Sequence, residues 1–119
     1  MRHRNKKAIL NRPADQRRAL LRNLLTSLFL HGFLCTTDAK AKKLVSVAEK
    51  LISKIQKKDS MNAIRELKKI IFSKESSIRA LEFAQKTEKK SGFCRMTKIN
   101  FRAGDAAKMV RVELIKNQK

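Results

Sequence analysis

Few residues in this 119-residue chain are equipped for metal binding or nucleophilic chemistry. The candidates are His3, His31, Cys35 and Cys94. Two cysteines and two histidines suit the count of a tetrahedral zinc site, but the short ligand spacings that build one are missing. Two cysteines so far apart make no disulfide framework. Both read as reduced, small hydrophobes of a cytosolic protein. His31 ends a leucine-rich run and reads as a partly buried residue at a helix end. Asp105 follows Gly104 and reads as a turn residue that bonds its own backbone. No G-x-S-x-G, H-E-x-x-H or G-x-x-x-x-G-K-[ST] occurs. We therefore expect no enzyme, no metal and no cofactor.

The chemistry that the residue types do support is charge neutralisation. Lys and Arg number 30 against 10 Asp and Glu, a formal net charge of +20. The excess is spread along the chain: +7 over residues 1–31, +6 over 32–85 and +7 over 86–119. Such a charge opposes compaction and attracts polyanions, through release of their counterions. Trp and Tyr are absent and Phe numbers six. Stacking platforms for single-stranded bases are thus scarce, and recognition of backbone and shape is expected. The longest apolar stretch, 24–34, is broken by Thr26, Ser27, His31 and Gly32. It falls far short of the roughly 18 apolar residues that span a membrane. The basic, acid-poor start resembles an organellar transit peptide. A charge that continues over the whole chain instead belongs to the working protein.

These charges need a scaffold. Leu, Ile, Val and Phe total 32 residues, enough for one modest core and too many for a disordered polycation. We divide the chain into an extended basic arm (1–12), one domain (13–116) and a short tail (117–119). Pro13 suits the first position of a helix whose apolar arc is Leu20, Leu21, Leu24, Leu25 and Leu28. Gly32 is its left-handed cap. Arg22, Asn23, Thr26 and Ser27 fall on the opposite, small and polar arc. That arc is either a solvent face or a site of close approach to a sugar-phosphate backbone.

Residues 33–37 read as a brief strand. Thr37 and Asp38 open a second helix that runs to about Lys57. Leu44, Ala48, Leu51, Ile52 and Ile55 form its buried stripe. Lys43, Lys50, Lys54 and Lys57 line one side, with no acid on that side to neutralise them. After a break at Asp59 and Ser60, Met61, Ile64, Leu67 and Ile71 repeat at helical spacing. So do Ile78, Leu81 and Ala84, with Ser73 as the intervening cap. Residues 93–101 and 109–115 are strand-like. The alternation of the first slips at Lys98 and Ile99, the mark of a bulge or a strand end. The fold class is α+β: a two-layer α/β domain of order α-β-α-α-α-β-β, with a small mixed sheet and a basic N-terminal arm.

Certain motifs go further than composition. MRHR at 1–4 and LNR at 10–12 open the chain. Arg17, Ala19 and RNL at 22–24 follow, then TS at 26–27, His31, TT at 36–37, AKAK at 39–42 and AEKLI at 48–52. Gly92, Arg95, Lys98 and RAGDAA at 102–107 come near the other end, with Met109, Glu113 and Leu114. In this order and spacing the chain resembles the bacterial large-subunit ribosomal protein family L-seventeen, over roughly 1–58 and 91–115. It departs from the family at Lys7-Ala8, Gln16 and Lys108, and matches poorly over 59–90.

The resemblance implies a structural constituent of the large ribosomal subunit, bound to 23S-type ribosomal RNA near the polypeptide exit side. Neighbouring ribosomal proteins would be its other partners, with no membrane and no small-molecule substrate. The location would be the cytoplasm, with an organellar ribosome as the open alternative. Expected RNA contacts are Arg2, His3, Arg4, Lys6, Lys7 and Arg12 from the arm. Arg17, Arg18, Arg22 and Asn23 would act from the first helix, and Lys40, Lys42 and Lys43 from the start of the second. Arg95, Lys98 and Arg102 would act from a terminal hairpin whose tight turn Gly104 permits. The rival reading is a free architectural nucleic-acid-binding protein.

Overall fold

Pro13 starts the first helix from just outside it. In the computed structural model, which describes residues 3–116, Pro13 has ψ 159° and occupies the N-cap of α1 (Ala14–His31). It is thus one position earlier than the expected first helical residue. Its carbonyl still accepts the first helical bond, from the Arg17 N–H at 2.9 Å. Asp15 lies in the first turn, where a negative charge meets the positive end of the helix dipole. Arg2 and the 117–119 tail lie outside the described residues.

Gly32 ends α1 at φ 82°, in the left-handed region open to glycine. Its N–H donates to the Leu28 carbonyl at 2.7 Å. Its own carbonyl accepts from Leu114 at 2.9 Å, which ties the helix end to the last strand. β1 (Phe33–Thr37) follows at once, then α2 (Asp38–Gln56), α3 (Ser60–Ile70), α4 (Lys74–Lys86), β2 (Cys94–Phe101) and β3 (Lys108–Leu114). The element order is the expected one.

The sheet is not mixed. Its strand order is β1-β3-β2, and both pairings are antiparallel. β2 and β3 form a hairpin, and the last strand enters between the other two. Parallel β1 and β2 therefore never touch, and no parallel ladder arises. One face of the sheet carries Val110 and Val112, both buried, under α2 with its buried Ala41, Leu44, Ala48, Leu51, Ile52 and Ile55. Leu25, Leu28 and Phe29 of α1 join that core, as do Ala63, Leu67, Ile71, Ala80, Ala84 and Phe93.

The two middle helices bury only part of the stripes expected of them: Leu67, Ile71 and Ala84 are buried and Leu81 packs against the core, but the N-terminal members are exposed. On α3, Ala63 and Leu67 point inward, whereas Met61 is 64% exposed and Ile64 is also exposed. On α4, Ser76, Ser77, Ala80 and Ala84 are buried, whereas Ile78 is 48% exposed. Small residues allow α4 to lie close to α1. The Ser76 hydroxyl donates to the Thr26 carbonyl at 3.1 Å, so burial leaves it satisfied. Ser73 is the cap, its Oγ accepting from the Ser76 N–H at 3.4 Å.

Candidate nucleic-acid interface

The arm is folded onto the domain at its end. A turn joins the Arg12 N–H to the Ile9 carbonyl at 3.2 Å, with Leu10 and Asn11 at positive φ. Arg17 Nη1 then donates to the Arg12 carbonyl at 3.1 Å, anchoring the turn on α1. His3, Arg4, Lys6, Lys7 and Arg12 are all exposed. None of their side chains enters an ion pair among the described residues.

The polar arc of α1 is not a uniform free face. Arg18 and Asn23 are exposed. Arg22 is partly buried, and its Nη2 donates to the Lys69 carbonyl at 2.7 Å. Its guanidinium also lies 4.6 Å from the Phe72 ring centroid. Arg22 therefore satisfies an orphan carbonyl at the end of α3, where a cation also suits the helix dipole. Thr26 donates to the Arg22 carbonyl at 2.8 Å. His31 is exposed rather than partly buried, because the chain turns away at Gly32.

Along α2, Lys42 pairs with Asp38 at 3.1 Å, while Lys40 and Lys43 are half-buried and form no ion pair among the described residues. Thr37 stands at the N-cap without a side-chain cap bond. The lysine side of this helix does meet an acid. Glu66 of α3 contacts Lys54 at 2.9 Å, Lys58 at 3.1 Å and Lys69 at 3.2 Å. Hydrogen bonds from Lys54, then Lys58 and Lys69, hold its carboxyl down at about 2. The neutralising acid comes from the next helix, out of reach of a pattern read within α2. Lys50 and Lys57 remain exposed and unpaired among the described residues.

The hairpin sorts its cations as well. Arg95 and Arg111 flank Glu113 at 3.7 and 3.5 Å, and Arg111 lies 4.2 Å from the Phe33 ring centroid. Arg102 grips Asp105 through two bonds, Nε to Oδ1 at 3.0 Å and Nη2 to Oδ2 at 2.5 Å. Asp105 also accepts from the Ala107 N–H at 3.2 Å, the expected turn bond. The Arg102 bond first, then the backbone bond, hold the Asp105 carboxyl down at about 2. The turn itself uses Gly104 at φ 103° and Ala106 at φ 55°. Lys98 is exposed, in no ion pair among the described residues.

Glu49 is a residue whose part the sequence concealed among ordinary surface charges. Its carboxylate accepts from the N–H groups of Gly92 at 3.2 Å, Phe93 at 2.7 Å and Cys94 at 2.9 Å. It thereby positions the start of the hairpin. Burial, and then the Glu49 charge, push the Cys94 thiol up to about 12, so it stays protonated. Cys35 pairs with Arg111 on the opposite face of the sheet from Cys94. No cluster of three His, Cys, Asp or Glu suited to a metal occurs among the described residues. None of the described helices is long and apolar enough to cross a membrane.

Comparison with known proteins gives these surfaces a context. The profile of ribosomal protein L17 matches residues 20–115. The large ribosomal subunit protein bL17 of Desulforapulum autotrophicum is 39% identical over 117 residues, which covers 97% of this chain and 97% of the relative. The bL17 of Clostridium botulinum (strain Hall) is 39% identical over 109 residues, 89% of this chain and 95% of the relative. That of a Thermoanaerobacter species (strain X514) is also 39% identical over 109 residues, with 96% of the relative covered.

Proposed function

The chain belongs to the ribosomal protein L17 family, and on that premise we propose that it is a structural constituent of the large ribosomal subunit. It works by binding, not catalysis. Its task is to neutralise phosphate repulsion and hold ribosomal RNA segments against one another, beside neighbouring proteins of the subunit. Its location is that of the subunit, the bacterial cytoplasm.

The observation that carries this reading is the division of the cations into two sets. Arg22, Lys42, Arg95 and Arg102 are engaged within the protein. Arg4, Lys6, Lys7, Arg12, Arg18, Lys40, Lys43 and Lys98 have no ion-pair partner among the described residues, and the exposed His3 adds a hydrogen-bonding ring beside them. The first set shapes the surface. The second, with Arg2, offers charge to a phosphate backbone. Arg17 anchors the arm through the Arg12 carbonyl, and the exposed Asn23 offers RNA a further polar contact.

Each phosphate neutralised releases counterions, so the slope of log K against log salt should be about −0.7 to −0.9 per contact. The test is a competition assay at physiological salt. Preferential retention by large-subunit ribosomal RNA over duplex DNA is expected. Equal displacement by both would favour a free architectural protein and overturn the ribosomal assignment.

A further inference from the structure

The hairpin carries an aromatic ring that its own fold leaves uncovered. Phe29 and Phe93 are buried, and Phe83 is partly buried against the core. Phe33 and Phe72 each have an arginine over one ring face. Phe101 is 65% exposed and has no cation over it among the described residues.

A bulge determines which way this ring points. Lys98 pairs with Val110, and Phe101 pairs with Lys108. Three steps on β2 thus match two on β3, so β2 holds one extra residue. Residues directly opposite in an antiparallel pair share a face. Met96, Lys98, Phe101 and Lys108 therefore lie on the face that Val110 and Val112 turn toward the helices. Without the extra residue, Phe101 would lie on the other face. Met96, Lys98, Phe101 and Lys108 are all exposed, so this part of the face is left uncovered.

We propose that Phe101 is a stacking platform for an unpaired nucleobase, with Lys98 and Lys108 holding the phosphates on either side. Neither lysine forms an ion pair among the described residues. The acid of the adjacent turn, Asp105, is occupied by Arg102. The occupant must offer an apolar face and negative charge together. An unstacked base within its own backbone does both, and ribosomal RNA loops and bulges are where aromatic side chains find such bases. The proposal rests on the ribosomal RNA reading and adds a base contact to the backbone contacts expected there.

The test uses the full chain and purified large-subunit ribosomal RNA. Phe101→Ala should weaken binding about 5- to 150-fold, the range for one lost base stack, with the salt slope unchanged. Phe101→Trp should restore affinity. Phe101→Leu, apolar but without a π-face, should stay weak. Full affinity of Phe101→Ala, or rescue by Phe101→Leu, overturns the proposal. So does a variant that keeps RNA affinity but loses a neighbouring subunit protein, since the surface then docks protein. If the variants do not fold, ultraviolet crosslinking of the wild-type complex decides. Nucleotide attached to the peptide containing Phe101 supports stacking, and attachment confined to other peptides overturns it. A wild-type chain that does not bind this RNA refutes the functional reading itself. Wild-type binding with an unaffected Phe101→Ala refutes stacking alone.

Discussion

Glu49, midway along α2, accepts a 2.7 Å hydrogen bond from the backbone N–H of Phe93. Phe93 is only 1% exposed and sits just before β2. Its carbonyl accepts from Ile115 at 2.8 Å, so one residue connects α2, the hairpin's start and its end. The basic hairpin is thereby held on the helical layer by an acid. An excess of +20 has to spare a few carboxylates for such positions.

Removing that acid should loosen the hairpin. Glu49→Ala leaves the Phe93 and Cys94 N–H groups without their partner. We expect a loss of about 1.5–3 kcal/mol, the range for hydrogen bonds to a charged group. Urea unfolding monitored by circular dichroism measures it. A loss under about 0.5 kcal/mol would mean that the three bonds contribute nothing net.

Arg22→Ala should act on stability as well as on any RNA contact. The substitution removes the bond to the Lys69 carbonyl and the stack on Phe72. The expected cost is about 1–3 kcal/mol in the absence of RNA. Arg22→Lys should rescue only part of it, because an ammonium lacks the planar fork. Thermal melts of the RNA-free protein suffice, and an unchanged Tm contradicts the role.

Glu66 gives the protein an acid-sensitive joint. Its folded carboxyl titrates at about 2, below the usual value of 4.5, so the unfolded chain binds the proton more readily between those limits. Stability from this site is complete above about pH 5 and declines as pH falls toward 2. Glu66→Gln should flatten that part of the stability–pH curve. The same slope in variant and wild type would assign the acid sensitivity elsewhere, Asp105 being the other depressed carboxyl.

Gly32→Ala tests the left-handed cap. No heavy atom outside its chain neighbours lies within 4 Å of an added Cβ, so the cost is conformational alone. At φ 82° we expect about 1–2 kcal/mol. Denaturant titration reads it, and a neutral result would mean that the α1–β1 junction adjusts freely.

What could be read from the sequence follows a physical line. Period and punctuation gave α1, β1 and α2 to within a residue or two. Leu44, Ala48, Leu51, Ile52 and Ile55 repeat on one stripe, and Gly32 marks a stop that a Cβ would strain. The slip at Lys98 and Ile99 corresponds to a real extra residue in β2. Legibility ends where the deciding partner lies outside the element itself. Met61 and Ile64 share the helical spacing of Leu67, yet Leu67 is buried beside Ala63 while Met61 and Ile64 face outward. The Lys54 partner is Glu66, and the Arg22 partner is the Lys69 carbonyl. Both sit on α3. The arrangement of the sheet is not legible for a similar reason: insertion of β3 between β1 and β2 is a long-range pairing. For the site, types and charge identified the cations. Only packing separated those engaged within the protein from those left open.

The most direct test of the central claim is where the protein resides in a lysate. After sucrose-gradient sedimentation at physiological salt, quantitative mass spectrometry should find it with the 50S particles, in proportion to their RNA. It should leave them as salt is raised. A protein that stays at the top of the gradient while the 50S particles sediment would contradict the assignment.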